Sequence, residues 1–221
     1  MSEIVWPNLV KFIQDMVPER SGLLKELEME CQAEHIPMIQ PQVGQFLLLL
    51  LSIHKPVRIL EIGTAIGYST LWFTQALQDT RGHITTIELD KDRYERACAN
   101  FLRAGVAGRI TPLLGDANEL LPTLKGPYDF IFIDAAKGQY GEFFAKAWAL
   151  LAPAGVIVMD NIFLNGWVID MTWPHRRKKT MVVRVRDLLE NITSHPDLLT
   201  SLIPLGDGLS VSIRRNAHEK S

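Results

Sequence analysis

The chain has 221 residues, 47% hydrophobic and 22% charged, enough for one sizeable core and incompatible with a disordered or low-complexity chain. A net charge of −2 argues against a protein that coats nucleic acid, and the two cysteines, Cys31 and Cys98, have no metal-spaced partners and are too few for a disulfide framework. The N-terminal segment lacks a basic stretch followed by an apolar core, and the longest apolar run, Phe46 to Ile53, is far short of the roughly 20 residues of a membrane span. The expectation is a single cytoplasmic domain over residues 1–221 with no membrane partner.

In chain order, apolar spacing predicts helices at Asn8–Met16, Ser21–Glu34 with Ser21 as N-cap, and Gln42–Ile53, a helical cap over residues 1–55. After Pro56 the rhythm changes. Strand-like runs at 57–62, 83–88, 109–114, 128–133 and 155–160 alternate with helical ones at Tyr68–Gln78, Lys91–Ala104 and Gly141–Leu151. Strands separated by helices imply βαβ units and a parallel sheet covered on both faces, so residues 56–215 read as an α/β core. A helix from about Arg176 to Thr193 follows, and then LLTSLIPL and GLSVSIRR flank Gly206-Asp207, which predicts an antiparallel hairpin closing the sheet.

Ligands of open α/β sheets sit outside the carboxyl ends of the strands, so the residues there are the candidates. The first strand runs into ILEIGTAIGYST, where Glu61, Gly63 and Gly67 precede Tyr68 and Ser69 at the start of a helix. Glycines allow close backbone approach, and a helix N-terminus offers N–H groups to a carboxylate. The spacing is not the G-x-G-x-x-G of dinucleotide binders. The second strand ends in Glu88, suited to the two hydroxyls of a ribose, and the third reaches Asp116 and Ala117, where the acid can accept from an adenine amino group. Each acid alone is as compatible with a helix N-cap or a solvated loop. Together they describe a nucleoside with an anionic tail.

The fourth strand stops on Asp134, with Lys137 three residues later, and the fifth stops on Asp160-Asn161. Neighbouring strands would bring two carboxylates and an amide together, a hard-oxygen set suited to Mg²⁺ that leaves positions for water and substrate. A turn pair at Asp160-Asn161 and a helix cap at Asp134 remain the simpler alternative.

ILEIGTAIGYST, Glu88, Gly115-Asp116-Ala117, FIDAAKGQY and MDN, in this order, resemble the metal-dependent class I S-adenosylmethionine O-methyltransferases, the group of catechol and caffeoyl-CoA methyltransferases, over about residues 35 to 214. The resemblance implies a Rossmann-like seven-stranded sheet, mostly parallel with an antiparallel C-terminal hairpin. It implies S-adenosyl-L-methionine as cofactor, held by Ile39, Glu61, Gly63, Tyr68, Ser69, Glu88, Asp116, Ala117 and Asp134. It also implies Mg²⁺ or another divalent cation on Asp134, Asp160 and Asn161, Lys137 as the catalytic residue near the reacting hydroxyl, and a homodimer. IDAAKGQY, the RRKK run, His195-Pro196-Asp197 and IPLGDGLSVS are similar to a narrower branch, the bacterial tRNA 5-hydroxyuridine methyltransferases, which finish 5-methoxyuridine at wobble position 34. Members of that branch often carry a lysine where this chain has Asn165.

Transfer of a methyl group from a sulfonium needs an oxygen nucleophile held in line and largely deprotonated. A divalent ion and Lys137 together meet that need. Such a site favours two adjacent oxygens, which catechol and 5-hydroxyuridine both present. The surroundings therefore decide between them. From Met171 to Glu190 there are six basic residues against two acidic ones, and Arg176, Arg177, Lys178 and Lys179 are the candidate contacts for the phosphates of a tRNA anticodon stem-loop. A solvated helix start is the plainer reading of RRKK. Trp167 and Trp173 could stack on a splayed base, or simply pack on helices or across a dimer.

Overall fold

A computed structural model describes residues 7–77, 82–170 and 178–215. Three helices, α1 (Pro7–Met16), α2 (Gly22–Glu34) and α3 (Pro41–His54), lead into the strand-helix alternation. Ser21 sits at the N-cap of α2 without a side-chain capping bond, and α3 opens with Pro41, whose missing N–H is no loss in a first turn. Then follow β1 (Arg58–Ile62), α4 (Tyr68–Ala76), β2 (His83–Glu88), α5 (Lys91–Arg103), β3 (Ile110–Leu114), α6 (Ala117–Leu120), β4 (Tyr128–Ile133), α7 (Tyr140–Leu150) and β5 (Leu151–Asp160). A short helix α8 (Trp167–Asp170), the long helix α9 (Lys179–Ser194) and the hairpin β6 (Leu198–Ile203) and β7 (Leu209–Arg214) are the last elements among the described residues.

The sheet has seven strands in the order β3-β2-β1-β4-β5-β7-β6; the first five run parallel, and β7 is antiparallel to both neighbours. Alternation along the central strands feeds two cores. Leu60, Ile62, Ile131, Ile133, Ile157 and Met159 face α7 and α9, whereas Ile59, Phe130, Phe132, Val156 and Val158 face α3 and α4. Strands apolar on both faces are what a buried parallel sheet requires. Phe73 of α4 sets its ring edge-on to Phe130 and Phe132 at centroid distances of 6.1 and 5.4 Å. β5 begins at Leu151 rather than Gly155: pairing with β4 starts at Tyr128↔Leu151 and resumes, after an irregular step, at Phe130↔Val156. Among the described residues no helix is long and apolar enough to cross a membrane.

The register aligns the strand ends. Ile62 pairs with both Ile87 and Ile133, Ile133 with Met159, and Glu88 with Leu114. Asp160, Asp134, Gly63, Glu88 and Asp116 therefore form one row along the carboxyl edge of the sheet.

Candidate active site

A cavity of about 570 Å³ opens along this row. Ile39, Gly63, Tyr68, Ser69, Glu88, Asp116, Ala117, Asp134, Lys137 and Asn161 all line it; Glu61 and Asp160 do not. Gly63 is at φ 103°, and a Cβ there would lie 2.0 Å from the Asp134 carbonyl oxygen. Only a glycine lets the turn after β1 pass so close to the end of β4.

Glu61 is fully buried beneath that turn. Its Oε1 accepts from Ser69 Oγ at 2.6 Å and its Oε2 from the Thr70 and Thr86 hydroxyls at 2.5 and 2.6 Å. Burial pushes the group up to about 7, against the pull of those three hydroxyls. Expected as a cofactor contact, Glu61 instead faces inward and ties β1, β2 and the start of α4 together. The reason is alternation: Ile62 and Glu61 point to opposite faces of the strand. Ser69 is thereby oriented on the cavity wall.

Glu88 lines the cavity with its acceptors nearly filled. Oε1 takes the N–H groups of Leu89 and Asp90, both at 2.9 Å, and Oε2 takes that of Ala65 at 2.7 Å. A carboxylate offers about four acceptor positions, so one remains, on Oε2. Asp116 caps α6, its Oδ1 accepting from the Asn118 N–H at 2.7 Å. Gln139, part of the IDAAKGQY motif, lines the cavity too, and so do Arg93 and Phe143, which nothing in residue type or spacing marks.

On the helical-cap side the Tyr68 hydroxyl donates to Glu28 Oε1 at 2.6 Å, and the same carboxylate receives Arg20 Nε at 2.6 Å and Nη2 at 3.1 Å. Burial pushes Glu28 up, but the bonds from Arg20 and Tyr68 outweigh it and leave the group below the usual carboxylate range. Glu28 is legible in retrospect: it falls beside Leu27 and three residues before Cys31, on the buried stripe of α2.

At the other end, Lys137 Nζ donates to Asp134 Oδ1 at 2.5 Å and to Asn161 Oδ1 at 2.8 Å. Lys137 opens a single turn of 3₁₀ helix, Lys137–Gln139, before α7. Asp160 lies just behind, 1% exposed, with Oδ1 accepting from the Asn161 N–H at 2.6 Å. Burial, then the charge of Asp134, push it up to about 7. The Tyr140 hydroxyl donates to the Asp160 carbonyl at 2.9 Å.

Two side-chain oxygens thus converge on a cation that the chain itself supplies, and a third oxygen-bearing group is buried next to them without an ion-pair partner among the described residues. This donor set is chemically suited to a hard divalent cation. No group of three or more His, Cys, Asp or Glu side chains arranged for a metal occurs among the described residues, so this carboxylate-carboxylate-amide set is the candidate.

Of the basic cluster, Lys178 and Lys179 are exposed at the start of α9, which begins at Lys179. Arg176 and Arg177, like Trp173, lie outside the described residues. Trp167 is half-buried and packs against the α7–α9 core, which leaves less of it available for stacking.

The sequence model of the O-methyltransferase family matches residues 14–215. The chain belongs to this family. A catechol O-methyltransferase of Niastella koreensis is 34% identical over 176 residues, covering 77% of this chain and 79% of the relative. A caffeoyl-CoA O-methyltransferase of Stellaria longipes is 30% identical, covering 92% and 88%. The solved O-methyltransferase of Bacillus cereus in complex with SAH is 29% identical with a TM-score of 0.83, covering 95% of this chain and 98% of its own. This protein is accordingly an S-adenosylmethionine-dependent O-methyltransferase of the catechol and caffeoyl-CoA type.

Proposed function

We propose that this methyltransferase acts on the 5-hydroxyl of 5-hydroxyuridine at wobble position 34 of tRNA, giving 5-methoxyuridine, with Mg²⁺ as its metal. The observation that supports O-methylation of a metal-chelating hydroxyl is the convergence of Asp134 Oδ1 and Asn161 Oδ1 on one cationic point at the cavity wall, 2.5 and 2.8 Å from Lys137 Nζ; the basic surroundings single out the tRNA base. Asp134, Asp160 and Asn161 would hold the ion, which when bound acidifies and fixes a hydroxyl that has a second oxygen beside it. The protein's own side chains do the rest. Lys137 Nζ neutralises the developing oxyanion as an ammonium or, once it has given its own proton to solvent, takes the hydroxyl proton as the neutral amine, and the buried Glu61 keeps the glycine turn and Ser69 in place on the cofactor side.

The tRNA substrate is favoured by charge near the entrance. Lys178 and Lys179 are exposed, and Arg184 Nη1 donates to the Gly138 carbonyl at 3.3 Å, so a guanidinium borders the Lys137–Gln139 turn. Arg176 and Arg177, adjacent to Lys178 in sequence, add two positive charges suited to the phosphates of the anticodon stem-loop. Asn165, in place of the lysine seen in the tRNA branch, removes one basic group from it. A homodimer is part of the proposal: Leu9, Phe12, Ile13 and Met16 form an i, i+3, i+4, i+7 stripe on α1 that is 36–64% exposed, an apolar face a second copy would cover.

The test is mass spectrometry of nucleosides from tRNA of cells lacking this gene, incubated with the protein, S-adenosylmethionine and Mg²⁺. Appearance of 5-methoxyuridine is expected, and its absence sinks the tRNA reading. The second reading, a small-molecule catechol methyltransferase, is favoured by the 34% identity to a catechol enzyme. It predicts efficient turnover of free dihydroxyphenols and no effect of reversing the charges of Arg176 and Arg177.

A further inference from the structure

The loop after the metal-type pair is held in an unusual backbone. Asn161, Leu164 and Asn165 have φ of 54°, 51° and 55°, so three residues with side chains occupy the left-handed region within five positions. Such conformations persist only where the surroundings over-determine them.

The turn between β6 and β7 supplies that restraint. The Ile162 N–H donates to the Gly208 carbonyl at 3.1 Å, the Phe163 N–H to the Asp207 carbonyl at 2.9 Å, and the Asn165 N–H to Asp207 Oδ1 at 2.7 Å. Gly208 is at φ 88°, and a Cβ there would come within 2.3 Å of the Phe163 ring, so turn and loop are in direct contact. Leu209, next along, pairs with Asp160 in the sheet. The turn is therefore anchored to the strand that carries one candidate ligand and bonded to the loop that begins with another.

We infer that Asp207 is a positioning residue: its Oδ1 clamps the 161–166 loop and so fixes where Asn161 presents its side-chain oxygen. The inference rests on reading Asp134, Asp160 and Asn161 as a divalent-cation site. Asp207 itself is not on the cavity wall. It acts through the Asn165 N–H, and an amide oxygen in the same place would serve as well as a carboxylate.

The experiment compares the full-length wild-type chain with Asp207→Asn and Asp207→Ala, using two measurements. The first is hydrogen exchange of the Ile162, Phe163 and Asn165 amides without metal. The second is calorimetric affinity for Mn²⁺, with S-adenosylmethionine affinity as the control. Asp207→Asn is expected to match the wild type within about twofold on both counts. Asp207→Ala is expected to speed exchange of the Asn165 amide about tenfold and to weaken Mn²⁺ about tenfold, the size usual for lost support of a metal ligand, with S-adenosylmethionine affinity unchanged. Adding Asn165→Gly, which relieves the left-handed strain, should recover part of the loss and keeps the test open should Asp207→Ala alone fold poorly. Wild-type behaviour of Asp207→Ala overturns the clamp. Equal losses in Asp207→Asn and Asp207→Ala also overturn it, because the charge and not the acceptor would then matter. If the wild type binds no Mn²⁺, the cation reading fails, and the exchange comparison decides the clamp by itself.

Discussion

At the β1–β2–β3 end of the strand-end row the chain satisfies its own polar groups. Three hydroxyls bond Glu61, three backbone N–H groups occupy Glu88, and Asp116 caps α6. At the β4–β5 end the balance is reversed: Asp134 and Asn161 share one ammonium group, and Asp160 is buried behind them with its carboxyl pushed up to about 7. A buried carboxylate short of cation is costly unless something compensates it. On the proposed reading the first end receives the organic cofactor and the second a divalent cation, and the two meet at Gly63 against Asp134.

The comparison can be broken by removing one end at a time. Asp160→Ala is expected to reduce metal-dependent kcat/KM by about a thousandfold, on the order of 4 kcal/mol, while S-adenosylmethionine affinity changes less than about twofold by calorimetry. A parallel loss of cofactor affinity would show that the ends are not separate. Gly63→Ala strikes the junction, where the new Cβ would be 2.0 Å from backbone oxygen at φ 103°. It should lower stability by about 3–4 kcal/mol in denaturant melts and weaken both cofactor and metal binding.

Glu61→Gln tests the finished end through pH. Burial raises the folded-state carboxyl from 4.5 to about 7. The native chain therefore binds more protons than the unfolded chain between those values, and this group's contribution is present below about 4.5 and lost as pH rises through about 7. The glutamine variant should lack that decline, so its melting temperature gains on the wild type from pH 5 to pH 8 and no further above that. A carboxyl raised this far corresponds to a stability change on the order of 3 kcal/mol across that window. Parallel curves would contradict the assignment. The smallest effect is expected from Tyr68→Phe, which removes one bond to Glu28 while Arg20 keeps the carboxylate paired: a loss of about 1 kcal/mol of stability in denaturant melts.

The fold was legible because β2 and β4 are short runs rich in β-branched and aromatic residues between helical segments, and both match their expected limits, His83–Glu88 and Tyr128–Ile133. A boundary shifted where tertiary pairing overrode local preference: Leu151 reads as the end of a helix, yet β4 draws it into the sheet. At the site, residue type at a strand end found the row but not which face each side chain takes, so Glu61 was read as a contact when it points inward. Glu28 was not singled out, and Asp207 was read only as a turn residue, because their partners, Tyr68 and the Asn165 N–H, are 40 and 42 residues away. Only the folded chain brings them together.

The proposed separation of a self-satisfied cofactor end from a cation-binding end is tested most directly by Mn²⁺ titration of wild-type and Asp160→Ala protein, each saturated with S-adenosylmethionine. One tightly bound ion per wild-type chain and none in the variant, at equal cofactor affinity, is the predicted result. Equal Mn²⁺ binding by both proteins, or none by either, would contradict it.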